Sequence, residues 1–297
     1  MSQPVRLEFV IFQRAVPIEF LDYLSIEHHA VLKQMPHFYA AVGALVEGKP
    51  AGISLVHLPA ADSQRSAKLL DFCIVPSYRR IGIGLALMNK LCLLLRKAGV
   101  QKLTVEYLKS EIDQPMLSTF FQACGFDLPQ PGIYVYSSSL EVPLEFPWVR
   151  RFSLPESFTT TPFHSISPEE REWIKGGFGE WYPSILDPFA EEELIDKSRS
   201  VILRRHREVV GWLIFEPFDD KTILCKSMFV RIPFQRMARG VALMAEASRR
   251  LTMDPVYKEL IFFVEVENQP MLRFIKKHVC SPHIKEEILW RSQKTLH

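Results

Sequence analysis

The 297-residue chain is 47% hydrophobic and 11% aromatic, which excludes a disordered polypeptide and suffices for one large core or two ordinary ones. Its 36 basic and 34 acidic residues leave a formal charge of +2, without the clustered basic excess that marks a nucleic-acid binder. Five scattered cysteines (Cys73, Cys92, Cys124, Cys225, Cys280) show no Cys-x-x-Cys spacing, which argues for reduced thiols in a cytoplasmic protein over a disulfide frame or a zinc site.

Arg6, Glu8 and Arg14 interrupt the apolar N-terminus, so no signal-peptide core is expected. No apolar run approaches the ~18 residues of a membrane span, so no membrane contact is expected either. The pattern then predicts a helix from Ile18 to Leu32. Phe38 to Val46 and Ala51 to Leu58 form a hairpin turned by Glu47-Gly48-Lys49-Pro50. A strand from Lys68 to Val75 runs into Pro76-Ser77-Tyr78 and then Arg79-Arg80-Ile81-Gly82-Ile83-Gly84, at the head of a helix reaching Lys97. Leu87, Leu91, Leu94 and Leu95 give that helix an apolar face, and Ala98-Gly99 stops it. A strand from Lys102 to Tyr107, a helix from Gln114 to Ala123 and a closing strand from Gly132 to Leu140 follow.

The stretch from Val142 to Pro162, rich in proline, serine and threonine, reads as an extended connector with hydrophobic anchors. Beyond it the series recurs: a hairpin around Arg205-His206-Arg207-Glu208, a strand to Val230 and a helix from Gly240 to Arg250. A strand from Leu260 to Val266, a helix from Pro270 to His278 and a closing strand from Glu287 to Ser292 complete it. Gln114-Pro115-Met116-Leu117 returns as Gln269-Pro270-Met271-Leu272, and Arg79 to Met88 returns as Gln235 to Met244, at a nearly constant offset. So long a period is a duplicated domain. The boundary is expected near residue 150, with an N-terminal domain over residues 1–145 and a C-terminal one over 146–297.

A glycine-rich turn feeding a helix leaves backbone N–H groups unpaired and pointing one way, a site for a phosphate or pyrophosphate. Gly82 and Gly84 permit close approach of a ligand. A dinucleotide fold is disfavoured because the spacing is R-x-x-G-x-G rather than G-x-G-x-x-G, and the upstream hairpin breaks a simple βαβ order.

Arg79-x-x-Gly82-x-Gly84 after a strand resembles the acyl-CoA signature Q/R-x-x-G-x-G/A of the GCN5-related N-acetyltransferases (GNAT), and Phe120-Phe121-Gln122-Ala123-Cys124-Gly125-Phe126 resembles their F-Y-x-x-x-G-F helix end. The second copy fits more loosely, as Gln235-x-x-Ala238-x-Gly240, and its helix end has lost the Gly-Phe. Its Glu265-Val266-Glu267-Asn268 resembles a strand-end segment of members that acetylate protein N-termini. The resemblance implies an α+β / α/β fold of two tandem GNAT-like domains, each a mixed, mostly antiparallel sheet flanked by helices.

It further implies that the backbone of Arg80, Ile81, Gly82, Ile83, Gly84 and Leu85, with Arg79, holds the pyrophosphate of acetyl-CoA. Cys73, Ile74 and Val75 would pair with the pantetheine arm, and an N–H near Ile74 or Val75 would polarise the acetyl carbonyl. Gln114 and Phe121 are counted with these contacts. The expected reaction is acetyl transfer to a primary amine of a small molecule or peptide N-terminus, with Glu106 as proton acceptor and Glu265 in the matching place of the second copy. Phe121 stands where the family often has a tyrosine acid, and the second copy has Ile275. Either Tyr107 serves instead, or the thiolate leaves unaided, or the copy does no chemistry. The rivals are a non-catalytic acyl-CoA sensor or scaffold and an acyltransferase for a longer acyl-CoA.

Other residues have plainer readings. Asp71 is a strand-end charge or orients the amine, and Cys73 is a small core residue rather than a nucleophile. His28-His29 is a surface pair, and no metal is expected. Trp173, Phe178, Trp181, Tyr182 and Phe189 pack the first helices of the second copy or, with Glu180, line an acceptor groove. Arg231, Arg236 and Arg239 form a solvated face or grip an anion. The protein is expected as a monomer or homodimer, without nucleic-acid partners. The intact loop makes the first copy the expected acetyl-CoA site.

Overall fold

The computed structural model describes residues 6–59, 65–108, 114–235, 238–253 and 256–296, the side chains of 114–116 excepted. The first half runs β1 (Leu7–Phe12), α1 (Ile18–Leu21), α2 (His29–Leu32), β2 (Tyr39–Val46), β3 (Lys49–His57), β4 (Ser66–Ile74), α3 (Ile83–Lys97), β5 (Lys102–Leu108), α4 (Gln114–Ala123) and β6 (Gln130–Ser139). After α5 (Val142–Glu145) and α6 (Pro147–Arg151) come β7 (Phe158–Pro162), α7 (Pro168–Gly176), β8 (Val201–Arg205), β9 (Glu208–Pro217) and β10 (Thr222–Val230). The chain ends with α8 (Ile232–Gln235), α9 (Arg239–Met253), β11 (Glu259–Glu265), α10 (Gln269–His278) and β12 (Lys285–Thr295). No helix is long and apolar enough to cross a membrane, among the described residues.

Two compact units result. Unit 1 comprises Met1–Gly132 with Leu289–His297, and unit 2 comprises Ile133–Ile288. In unit 1 the strand order is β1-β2-β3-β4-β5 followed by β12, antiparallel except for the β4–β5 pair. In unit 2 it is β7-β8-β9-β10-β11 followed by β6, antiparallel except for β10–β11. Both are mixed sheets flanked by helices, as expected.

The closing strands do not close the copies that precede them. Ile133–Ser139 of β6 pairs with β11, and Leu289–Thr295 of β12 pairs with β5. Each half of the duplication therefore lends its last strand to the other's sheet. Strand patterning specifies which face is buried and is silent on which neighbour is taken, so two equivalent apolar strands can trade places without a change in sequence signal.

Three local expectations also change. The predicted helix from Ile18 to Leu32 is broken at Asp22–Ser25, where the Ser25 amide donates to Asp71 Oδ2 (2.8 Å) and its hydroxyl to Oδ1 (3.1 Å). That tertiary pull outweighs the small gain of continuing a short helix. The connector is extended only towards its end, in β7; its first part is helical, with Pro143 and Pro147 in the first turns of α5 and α6, where a missing N–H costs nothing. β1 and β7 carry no strict alternation and went unanticipated.

The hairpin of unit 1 turns through Glu47 (φ 49°) and Gly48 (φ 75°), the two positive values that a two-residue turn matching strand twist requires. On one face of its sheet, α3 and α4 cover a core in which Leu87, Met88 and Leu91 are fully buried, about 1.5–3 kcal/mol for each side chain. The other face carries α1 and α2 over Ala41, Ile53 and Leu55. In unit 2, α9 packs on Val201, Leu203 and Leu213, and the opposite face is aromatic, with Phe163, Tyr182, Trp212 and Phe229.

Candidate functional site

β4 keeps its pairing with β3 as far as Ile74 but pairs with β5 only over Ser66–Leu69 against Lys102–Val105. The divergence begins where Leu70 is inserted as a bulge: Val56 faces Leu69 and Leu55 faces Asp71. A bulge bends its strand and increases local twist, which opens β4 away from β5. Beyond it β4 pairs only with β3 among the described residues, which leaves its other edge open. Val75 N–H donates to Ala51 O (3.0 Å), so by alternation the N–H and C=O groups of Phe72 and Ile74 face the opening. Of the two expected carbonyl-polarising donors, Val75 is thus committed to β3 and Ile74 remains.

The loop meets this edge at its end. Arg79 Nε donates to Ile74 O (2.8 Å), tying the loop to the strand. Arg80 (φ 63°) and Gly82 (φ 89°) are left-handed, and Gly82 N-caps α3 without a side-chain cap. The first intrahelical bond runs from Ala86 N–H to Gly82 O (3.1 Å), leaving the N–H groups of Ile83, Gly84 and Leu85 without an intrahelical acceptor at the positive end of a 15-residue helix. A Cβ at Gly82 would meet nothing within 4 Å, so conformation requires the glycine there. At Gly84 the reason is space, because a Cβ would lie 3.1 Å from the Phe120 ring.

On the α3/α4 face the diverging strands present aromatic groups. Phe72 packs at a tilt against Phe120 (5.2 Å), Tyr107 stacks on Phe121 (5.5 Å), and the Tyr107 hydroxyl lies 3.3 Å from Ser118 Oγ. Phe121 itself is buried against Phe126. The α1/α2 face is polar. Glu106 accepts from Lys68 Nζ and from Arg291 Nε (2.8 Å). Burial raises its pKa, yet the bonds and charges of Lys68 and Arg291 outweigh that and hold it below the ordinary carboxylate value. Asp71 holds Ser25, with His28 Nε2 3.9 Å away. Burial pushes the half-buried Cys73 thiol up against the opposing pull of Arg79, so it stays protonated and unsuited to nucleophilic attack.

Unit 1 thus brings together Cys73, Ile74, Val75, Arg79 to Leu85, Tyr107 and Phe121, with Glu106 on the other sheet face. The Gln114 side chain lies outside the described residues. Glu265 belongs to unit 2, at the end of β11. The partners of Glu106 were missed by sequence reasoning. Lys68 carries a weak signal, lying on the preceding strand; Arg291 carries none, since it arrives on the exchanged β12.

Unit 2 repeats the device. β10 pairs with β11 only over Thr222–Cys225, the bulge falls at Lys226, and Gln235 Nε2 donates to Val230 O (2.7 Å) as Arg79 does to Ile74. Ala238 (φ 55°) occupies the left-handed place of Gly82, and the first bond of α9 runs from Ala242 N–H to Ala238 O. A cleft of about 620 Å³ lies beside this loop, against Val230, Gly240 and Met271. Of the aromatic residues singled out, Trp173 packs on Trp181 (4.9 Å) and Phe189 on Phe163 (5.8 Å), while Trp181 also lines the cleft and Phe178 is exposed. Arg231 pairs with Glu208 and Arg239 stacks on Phe158, so these two do not form one anion grip; Arg236 lies outside the described residues.

Each unit thus has parallel strands that part beside helix N–H groups without an intrahelical acceptor. The acetyltransferase (GNAT) family model matches residues 6–126 and again 163–279. The chain belongs to this family of acyl-CoA-dependent transferases, with the domain present twice. A tandem GNAT protein from the clavulanic acid biosynthesis pathway shares the fold at a TM-score of 0.67 and 17% identity, over 97% of this chain and 98% of that one. A GCN5-related N-acetyltransferase from Sphaerobacter thermophilus gives 0.62 and 17%, over 97% and 96%. The glucosamine N-acetyltransferase region of a fungal GH3 β-N-acetylglucosaminidase gives 0.69 and 14%, over 98% of this chain and 38% of that one. No curated protein sequence matches the chain.

Proposed function

We propose that unit 1 transfers an acetyl group from acetyl-CoA to a primary amine, and we read residues 1–145 and 146–297 as the two copies of the duplication. The observation that carries the reading is the β4 edge beyond Leu69, which pairs with no strand among the described residues, ending against the N–H groups of Ile83, Gly84 and Leu85, which have no intrahelical acceptor. Those N–H groups, with Arg80, bind the pyrophosphate. The β4 edge orients the pantetheine arm, and Ile74 N–H points at the acetyl carbonyl, where it stabilises negative charge as it develops. The bound thioester supplies an activated acyl carbon. Tyr107, paired with Ser118, returns a proton to the departing sulfur in place of the absent family tyrosine.

Glu106 receives the amine's proton, through water, on the polar face. Its lowered pKa makes it a weak base, and this bears on the acceptor. An α-amino group (pKa about 8) is roughly a tenth neutral at pH 7, whereas a lysine ε-amine (about 10.4) is neutral only about once in 2,500 molecules. A weak base suits the first. We therefore favour a small molecule or peptide N-terminus with an amine of low pKa.

Titration calorimetry of CoA against the wild type and Gly82→Trp tests the loop, and equal binding by both would refute it. Turnover over a panel of amines, lost in Glu106→Gln, tests the chemistry. One pair of observations favours a non-catalytic acyl-CoA sensor: Phe121 is buried in the tyrosine's place, and Glu106 is held by two cations. Acetyl-CoA binding without turnover on any amine would establish that reading.

A further inference from the structure

Behind the cleft of unit 2 lies a second hollow of about 210 Å³, walled by Phe215, Leu251, Leu260, Phe262 and Ile284. Met228, Met244, Asn268, Met271 and Phe274 line both spaces, so the hollow adjoins the cleft. Its wall holds no free charge. Cys225 is a neutral thiol, pushed up to about 12 by burial, and Lys226 turns its ammonium to Glu191 and Glu216. Three methionines make the passage adaptable.

In unit 1 Phe72 holds the place of Met228, its ring packs at a tilt against Phe120, and Phe120 approaches to 3.1 Å of the Cβ position of Gly84. At Gly240 the nearest group to that position is the flexible end of Met228, at 3.8 Å. A rigid ring thus stands in unit 1 where unit 2 has the flexible end of a methionine.

We propose that unit 2 binds a straight medium-chain acyl thioester of CoA, its pyrophosphate on the N–H groups of Gly240 and Val241 and its tail in the hollow. An apolar cavity of about 150 Å³ accepts the six carbons of benzene, so this one takes roughly eight. The proposal rests on the acyl-CoA reading of the loop, extended to the second copy.

The test is calorimetry on Gly82→Trp, which removes unit 1, with acetyl-, butanoyl-, octanoyl- and hexadecanoyl-CoA. The expected result is one site whose affinity rises severalfold, at most about fourfold, per added carbon up to eight, with no further gain at sixteen. Ala247→Phe fills the hollow from α9 and should erase the gain, with a thermal melt to show that the variant is folded. Equal affinity for acetyl- and octanoyl-CoA would overturn the tail site and leave the loop reading standing. Binding of no CoA species would overturn both. A chain-length gain that survives in folded Ala247→Phe would place the tail elsewhere and likewise overturn the proposal.

Discussion

Gly82 and Ala238 occupy the same place in the two loops, both left-handed, with φ of 89° and 55°. Exchanging their identities tests whether backbone conformation, rather than contact, sets the choice of residue. In Gly82→Ala the new methyl meets nothing within 4 Å, so packing contributes little. What remains is the ~1–2 kcal/mol penalty of an L-residue in left-handed space, less ~0.5–1 kcal/mol because alanine loses less entropy on folding. The net is a destabilisation of about 1 kcal/mol, which lowers the melting temperature by roughly 2–4 °C for a unit of this size. Ala238→Gly runs the same sum backwards and stabilises unit 2 by about 0.5–1 kcal/mol. Scanning calorimetry with the two transitions resolved measures both, and the opposite signs do not depend on the scale used. Two changes of the same sign, or destabilisation by Ala238→Gly, would refute the reasoning.

Three further outcomes are expected. Arg291→Met removes one of the two cations on Glu106, whose depressed pKa then rises; the acid limb of the pH–rate profile moves to higher pH, and a profile that stays put excludes Glu106 from the rate-limiting proton step. Because that pair is partly exposed, its loss costs only about 0.5–1 kcal/mol at neutral pH, measured by urea unfolding, and the difference fades as pH falls through the folded pKa of Glu106. Tyr107→Phe should lower kcat by one to two orders of magnitude with KM little changed, since the hydroxyl acts only as sulfur departs; a fall confined to KM would make it a binding group. In unit 2 the Arg171 hydrogen bonds, outweighing burial and aided by Lys197, hold Glu192 at about 2, against an ordinary 4.5. Its stabilisation is therefore complete above about 4.5 and lost between there and about 2; urea midpoints of Glu192→Gln and wild type should differ at pH 7 and converge at pH 2.

How much of the site could be read from the chain depends on how local each part is. The Arg79–Gly84 loop, the helix after it and the Glu47-Gly48 turn are governed by φ preferences and contacts within a few residues, and these emerged where expected. The break at Asp22–Ser25 was hidden because its cause, Asp71, lies 46 residues away. Tyr107 was considered from its place beside Glu106, but its stacking on Phe121 and its pairing with Ser118 depend on where α4 lands. The bulges at Leu70 and Lys226 leave no mark in composition, yet they decide where the strands part.

The sequence by itself determined that there are two copies, that each has a helix whose glycine-bearing start can hold an anion, and that a short run of strands surrounds it. These follow from side-chain period and backbone freedom, properties that a segment carries wherever it goes. Only the tertiary structure decided that β6 and β12 trade sheets, and so that Arg291, 185 residues away in sequence, holds Glu106. It alone decided that the Phe72 and Phe120 rings meet in unit 1 and that unit 2 carries a hollow of about 210 Å³. Strand partners and cavity walls are chosen by non-local burial, in which segments of equal local merit compete and the best-packed whole prevails.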